Sequence, residues 1–242
     1  MPRLSRQLQW AKIACYHLID RGHDRAPIFT DDDDRSAFLD LIARYADRFG
    51  FRLYHYCLMT NHVHLLVQLR DPRQLSKLMA GLLRAYVHHC HRRHGFVGHR
   101  FQGRFKSPAV QCEGYLLSCG RYIERTPLEA GLVARPWDYA WSSARHYARG
   151  VSDPLVSANP YYLELSPSPK RRQKLWREFV LADDPHEEAF RRGDWAVGDD
   201  TFRRRACLEM GRPAPRLRGR PRKSEAPQVQ TTMQTIGIKG VV

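Results

Sequence analysis

Residues 53–59 and 62–68 are two strand-like apolar runs joined by only Thr60-Asn61. So short a connection predicts a β-hairpin. Thr-Asn is not a favoured turn pair, which leaves the pairing register open to a shift of one residue. Side chains alternate faces along a strand, so His62 and His64 of the His62-Val63-His64 triplet share one face. Val63, Leu65 and Val67 take the other. Two imidazoles about 7 Å apart along one strand can converge on a single cation.

The rest of the first 150 residues alternates in the same style. Residues 13–21 read as a strand ending at Gly22. An acidic run, Asp31 to Asp34, precedes Phe38, Leu39, Ile42, Tyr45 and Phe49 at helical spacing, and Gly50 stops that helix. Asp71-Pro72 is a good helix start, followed by Leu75, Leu78, Met79, Leu82, Leu83, Tyr86, Val87 and Cys90 on one helical face. Residues 105–111 read as a short strand. A third helix spans about 113–125 and is closed by Thr126-Pro127. The order strand, helix, strand, strand, helix, strand, helix predicts an α+β, ferredoxin-like two-layer fold with a central antiparallel sheet, plus a C-terminal helical extension. The expected divisions are a basic lead (1–11), the main domain (12–150), the helical extension (151–212) and a basic flexible tail (213–242).

Composition narrows the function. The chain of 242 residues carries 40 Lys+Arg against 25 Asp+Glu, a net charge of +15. That excess favours a polyanionic partner, most simply nucleic acid. No run of about 18 apolar residues exists, which excludes a transmembrane helix. With no signal peptide apparent, a cytoplasmic, nucleoid-associated protein is expected. The six cysteines form no CxxC pair and read as reduced core residues, not as a zinc or redox site. His88, His89, His91 and His94 cluster on the second helix without a carboxylate nearby in sequence, and read as a solvated basic face.

Four features could carry chemistry. The first is the histidine pair. The second is Tyr122, near the end of the third helix between Arg121 and Arg125, where a phenol could meet a phosphate; nearby cations would be needed to favour the phenolate. Tyr115, two turns earlier on a similar face, is a rival that the residues alone do not exclude. The third is Phe101-Gln102-Gly103-Arg104-Phe105-Lys106, whose interleaved rings and cations suit a single nucleic-acid strand. The fourth is Arg216-Leu217-Arg218-Gly219-Arg220-Pro221-Arg222-Lys223, which resembles an AT-hook, with Arg218, Arg220 and Arg222 as minor-groove contacts. Arg21, Arg104, Lys106, Arg121 and Arg125 are the candidate phosphate contacts elsewhere.

Five stretches together resemble the REP-associated tyrosine transposases, bacterial members of the single-tyrosine HUH nucleases. They are 16–29 (YHLIDRGHDRAPIF), 56–67 (YCLMTNHVHLLV), 98–107 (GHRFQGRFKS), 122–133 (YIERTPLEAGLV) and 137–144 (WDYAWSSA). The region around Phe202 and the basic tail resemble the family more loosely. The resemblance implies a central antiparallel sheet with the histidine pair on an inner strand, and Mg²⁺ or Mn²⁺ held by His62 and His64. It implies that Tyr122, not Tyr115, is the nucleophile. It also implies single-stranded DNA folded into hairpins, typically repetitive extragenic palindromes, as the partner. Two positions depart from the pattern. Thr126 stands where relatives carry an Asn or Gln as third metal ligand, and a hydroxyl is shorter and a poorer donor than an amide carbonyl. His23 stands where relatives often have Asn.

The expected activity is therefore that of a metal-dependent single-strand DNA endonuclease and strand transferase working through a 5′-phosphotyrosine. One phosphodiester is exchanged for another, so no nucleotide cofactor is needed, in keeping with the lack of a Walker-type glycine loop. The alternative is a domesticated relative that holds hairpin DNA without cutting it. An unrelated metal-dependent hydrolase is disfavoured, because no Asp or Glu sits in the histidine motif to activate water. A monomer is favoured over a dimer.

Overall fold

A computed structural model describes residues 15–95 and 97–209. Their regular elements run β1 (Cys15–Arg21), α1 (Asp32–Phe49), β2 (Phe51–Met59), β3 (His62–Leu69), α2 (Leu75–His94), β4 (Ala109–Val110), α3 (Cys112–Glu129), α4 (Ala144–Arg149), α5 (Pro160–Glu164), α6 (Pro169–Leu181), α7 (Glu187–Arg192), β5 (Ala196–Val197) and α8 (Asp200–Glu209). The sheet order is β2-β3-β1-β4-β5. The first four strands are antiparallel in the ferredoxin-like arrangement, and β5 joins β4 in parallel. The basic lead and the Arg218, Arg220 and Arg222 tail lie outside the described residues.

The local chemistry of these elements follows the sequence closely. Asp31 caps α1 by accepting from the Asp34 N–H at 3.0 Å. Gly50 closes the helix in the left-handed region, at φ 62°, where a side chain is unfavourable. The two-residue turn pairs Met59 with His62, so the hairpin is in register at the tip; its irregularity falls instead between Leu53 and His55. Two expectations change. The strand at 105–111 shrinks to Ala109–Val110, with Lys106 making only an isolated bridge to Ile19. Pro108 sits between them and has no N–H to donate to a ladder. The third helix does not stop at Thr126-Pro127 but continues through Pro127 to Glu129.

Strand alternation divides the core in two. Leu18, Val63, Leu65 and Val67 face α1 and α2 and pack with Phe38, Ile42, Leu78, Leu82 and Tyr86. Cys15, Cys57, Met59 and Leu66 face the other way, onto Leu116, Cys119 and Ile123 of α3. The six cysteines are free, and the Cys15 and Cys112 sulfurs lie 2.9 Å apart. The outer edge of β2 is covered by the chain from Trp141 to Ser157: Leu58 N–H donates to the Trp141 carbonyl, Ser143 N–H to Tyr56 and Ser157 N–H to Leu53. An edge strand covered in this way presents no free ladder to another chain.

Two polar clusters pin the helices. On the α1–α2 side, the histidine-rich end of α2 is not simply solvated. Asp34 of α1 is buried and accepts from His94 at 2.9 Å, and Arg93 bridges Asp31, Asp33 and Asp34. The acidic start of one helix thus meets the basic end of the other. On the α3 side, buried Glu124 accepts from Ser143 Oγ at 2.7 Å and Trp176 Nε1 at 2.9 Å, and lies 2.8 Å from His55 Nδ1. Asn159 uses its Oδ1 for the Tyr161 N–H and presents Nδ2 to His55 Nε2 at 3.1 Å. His55 Nε2 is therefore the acceptor, and its Nδ1–H donates to Glu124.

Each cluster has a measurable consequence. Glu124→Gln turns one acceptor into a donor among three donors, and is expected to cost roughly 1–3 kcal/mol in urea unfolding. A loss below about 0.5 kcal/mol would contradict the network. Burial raises the Asp34 pKa, but hydrogen bonds from His94, the Thr30 N–H and Arg93 outweigh it and hold the carboxyl well below its ordinary 3.8. The folded-state value is depressed, so this stability is present above about pH 3.8 and is lost as pH falls below it. Asp34→Asn should be less stable than wild type at pH 6, with the gap constant down to about pH 4 and narrowing as pH falls further. A gap independent of pH would refute the assignment.

Candidate active site: a tyrosine over a histidine pair

The face of the sheet that carries His62 and His64 is the one covered by α3. His64 is 5% exposed and His62 half-buried, with ring centroids 4.9 Å apart and planes at 82°. His62 Nδ1 lies 2.7 Å from Asn61 Oδ1, so that nitrogen bears the hydrogen and Nε2 keeps its lone pair. His64 Nδ1 lies 2.8 Å from Nε2 of His17, a buried histidine on β1. Burial holds all three rings in the neutral form. His17 is lowered to about 3, and His62 to about 4 with help from the Arg21 charge. His64 is lowered well below its ordinary value by burial and by His17, His62 and Arg21.

Tyr122 of α3 stands against this group. Its ring is 6.0 Å from that of His64 and 5.9 Å from that of His17, edge-on to both. Phe190 of α7 stacks on the Tyr122 ring at 5.6 Å and meets the His17 ring edge-on at 6.4 Å. Burial raises the phenol pKa; Glu129, Cys119 and Glu187 raise it further, and Arg191 opposes them. Arg191 is itself paired with Glu129 and Glu187. Tyr115 is placed elsewhere, its ring 4.4 Å from His186 and its phenol near Asp199 and Asp200. The Thr126 hydroxyl, one turn beyond Tyr122, donates back to the Tyr122 carbonyl at 3.2 Å.

Among the candidate phosphate contacts, Arg121 is corrected and Arg125 is engaged in part by the protein itself. Arg121 is fully buried and donates to the carbonyls of Phe179 and Ala182 and to Glu187. Arg125 donates to the Val180 carbonyl at 2.9 Å. One residue of helix is a rotation of about 100°, which turns Arg121 away from the tyrosine face and toward α6. Both guanidinia satisfy carbonyls at the C-terminal end of α6, where cations suit the helix dipole.

Arg21 and Lys106 are exposed and on the tyrosine face. Arg21 pairs across the ladder with His62, and Lys106 bridges Ile19, which itself pairs with His64. Residues directly opposite in an antiparallel ladder project to the same side. Arg104 is exposed in the loop before Lys106. Sequence reading missed His17, Asn61 and Phe190. The first two need the strand register and the side-chain hydrogen bonds, and Phe190 arrives from a distant segment with no motif of its own.

The residues can hold a divalent cation in part. Two neutral imidazoles, each with one nitrogen already bonded to a neighbour, are suitable ligands. Among the described residues no three His, Cys, Asp or Glu side chains are grouped to hold a metal. A third protein ligand would have to be an oxygen of another kind, such as the Thr126 hydroxyl.

A sheet bearing a histidine pair beneath a helical tyrosine is the arrangement expected of single-tyrosine DNA transposases. Residues 12–126 match the family described as Transposase IS200 like. The match ends at Thr126, before the elements α4 to α8. A solved structure of a REP-associated tyrosine transposase bound to a REP hairpin aligns with a TM-score of 0.51 and 18% identity, over 65% of this chain and 92% of that one. What the two share at that identity is the fold. No curated protein matches this chain. The resemblance read from the five motifs holds in both the family and the fold. Among the described residues, no helix is long and apolar enough to cross a membrane.

The corrected arginine predicts a split between folding and binding. Arg121→Ala should lower stability by at least about 2 kcal/mol while leaving the salt dependence of DNA binding unchanged. Lys106→Ala should leave stability nearly unchanged and flatten log K against log[salt] by about 0.7 on single strands. Denaturation and fluorescence anisotropy titrations check the two, and a reversed pattern would restore Arg121 to the interface.

Proposed function

We propose that the chain is a divalent-cation-dependent single-strand DNA nuclease and strand transferase, with Tyr122 as its nucleophile. The carrying observation is the placement of the Tyr122 ring 6.0 Å from that of His64, on the sheet face shared with His62. The kinship with IS200-like transposases and the net charge of +15 support the same reading. The solved neighbour holds a REP hairpin. By analogy the substrate here is hairpin-forming DNA, with Mg²⁺ or Mn²⁺ as the ion.

His62 and His64 would hold the ion through the ring nitrogens not bonded to Asn61 and His17. When bound, a divalent cation supplies Lewis acidity at a non-bridging oxygen of the scissile phosphate. The chain's own part begins with alignment. α3 holds the Tyr122 ring against Phe190 and the rings of His17 and His64, which restricts the direction from which Oη can approach phosphorus. Oη attacks, the Oη–P bond forms, and the bond to the 3′-oxygen breaks in line, leaving the DNA attached as a 5′-phosphotyrosine. The phenol pKa is raised, so the hydroxyl proton is given up to solvent as the Oη–P bond forms, and the departing 3′-oxygen takes one up to leave as a 3′-hydroxyl. Arg21 and Lys106 are placed to neutralise neighbouring phosphates. A 3′-hydroxyl attacking the phosphotyrosine reverses the step.

A second reading has one observation in its favour. Thr126, at the place of the family's amide ligand, is engaged with the Tyr122 carbonyl, which suits a hairpin-binding protein that no longer cuts. Labelled hairpin DNA with Mn²⁺ separates the two. A denaturant-resistant adduct is expected in wild type and Tyr115→Phe and absent, by at least about 10³-fold, in Tyr122→Phe. Binding without any adduct would establish the second reading. An adduct lost only in Tyr115→Phe would reassign the nucleophile.

A further inference from the structure

We infer that His17 is a positioning residue for His64: its Nε2 accepts the Nδ1–H of His64, fixing that ring's tautomer and orientation. The inference rests on the proposed role of His64 as a ligand, because ligation through Nε2 requires the hydrogen on Nδ1. Three observations place His17 for this task. Its Nε2 is 2.8 Å from His64 Nδ1, within a normal hydrogen bond between two buried rings. The His17 ring lies against that of His64, at 5.0 Å and 27°. Tyr122 and Phe190 meet it edge-on at 5.9 and 6.4 Å, so the ring is held between the strand and the covering helices.

The two histidines of the motif are thus supported differently. His62 is oriented by its sequence neighbour, Asn61, at the exposed hairpin tip. His64 is deeper, and its support comes from the adjacent strand, 47 residues earlier in the chain. β1 pairs Ile19 with His64 and His17 with Leu66, so His17 is one diagonal step from His64 on the same face. Reversing the hydrogen bond would put the hydrogen of His64 on Nε2 and leave no lone pair for a cation. His17 therefore decides whether His64 is a ligand at all.

The test separates tautomer from activity. Long-range ¹H–¹⁵N correlation spectra of the metal-free full chain, with His64 assigned by comparison with His64→Gln, report which ring nitrogen bears the hydrogen. Wild type is expected to carry it on Nδ1. His17→Gln places a carboxamide oxygen the same number of bonds from Cα as imidazole Nε2, and should retain that tautomer. His17→Phe should lose it. Mn²⁺ affinity by electron paramagnetic resonance is expected to fall about 10–100-fold in His17→Phe and to recover largely in His17→Gln.

A wild-type His64 with its hydrogen on Nε2, or Mn²⁺ binding equal in wild type and a folded His17→Phe, would overturn the inference. If His17→Phe does not fold, the tautomer in wild type and in His17→Gln still decides it. A wild-type Nδ1–H tautomer without any DNA adduct would sink the nuclease reading while leaving the assignment of His17 intact.

Discussion

The close approach of α3 to the sheet is what the site depends on. Gly120 lies so near His55 that a Cβ there would be 2.5 Å from Nε2, so the helix can approach that strand only with a glycine at this position. One turn later Glu124 binds His55, Ser143 and Trp176 at once. A glycine that sets the distance and a carboxylate that sets the rotation together determine where position 122 points. The phenol reaches the histidine face because its neighbours on the helix are fixed, although none of them touches DNA in the proposed reaction.

The same constraint explains the arginines. Tyr122 and Arg121 are adjacent in sequence, but a helix sends adjacent side chains in different directions. With Gly120 and Glu124 turned toward β2, Tyr122 falls on the histidines and Arg121 falls on the end of α6. The last carbonyls of α6 have no partners within their own helix, and Arg121 and Arg125 supply them. α6 is thereby tied to α3, and the chain beyond it delivers Phe190 onto the tyrosine. The segment after residue 150 is consequently part of the site's walls. It also completes the sheet through β5 and covers the edge of β2 just before, through Val156 and Ser157.

Much of this was legible in the residues. The hairpin, the shared face of His62 and His64, the capped α1 and the apolar stripe of α2 are consequences of periods and caps that a short window contains. β4 was overread because an apolar, aromatic run looks like a strand whether or not Pro108 interrupts its ladder. The burial of Arg121 was not legible, because charge near a tyrosine says nothing about direction around the helix. The His88–His94 face looked isolated because its carboxylate, Asp34, comes from another helix. His17 was invisible for the same reason: pairing across strands is a property of register, which no local pattern encodes.

The electrostatics of the pocket follow from its burial. Neutral imidazoles and a phenol with a raised pKa make a site that carries little charge of its own, and Arg191, whose charge acts on Tyr122, is neutralised by Glu129 and Glu187. Positive charge is kept instead at the rim, on Arg21 and Lys106, and over the chain as a whole. A pocket that was itself strongly cationic would repel a divalent ion, and one that was anionic would repel the phosphate. A neutral interior with a basic rim admits both.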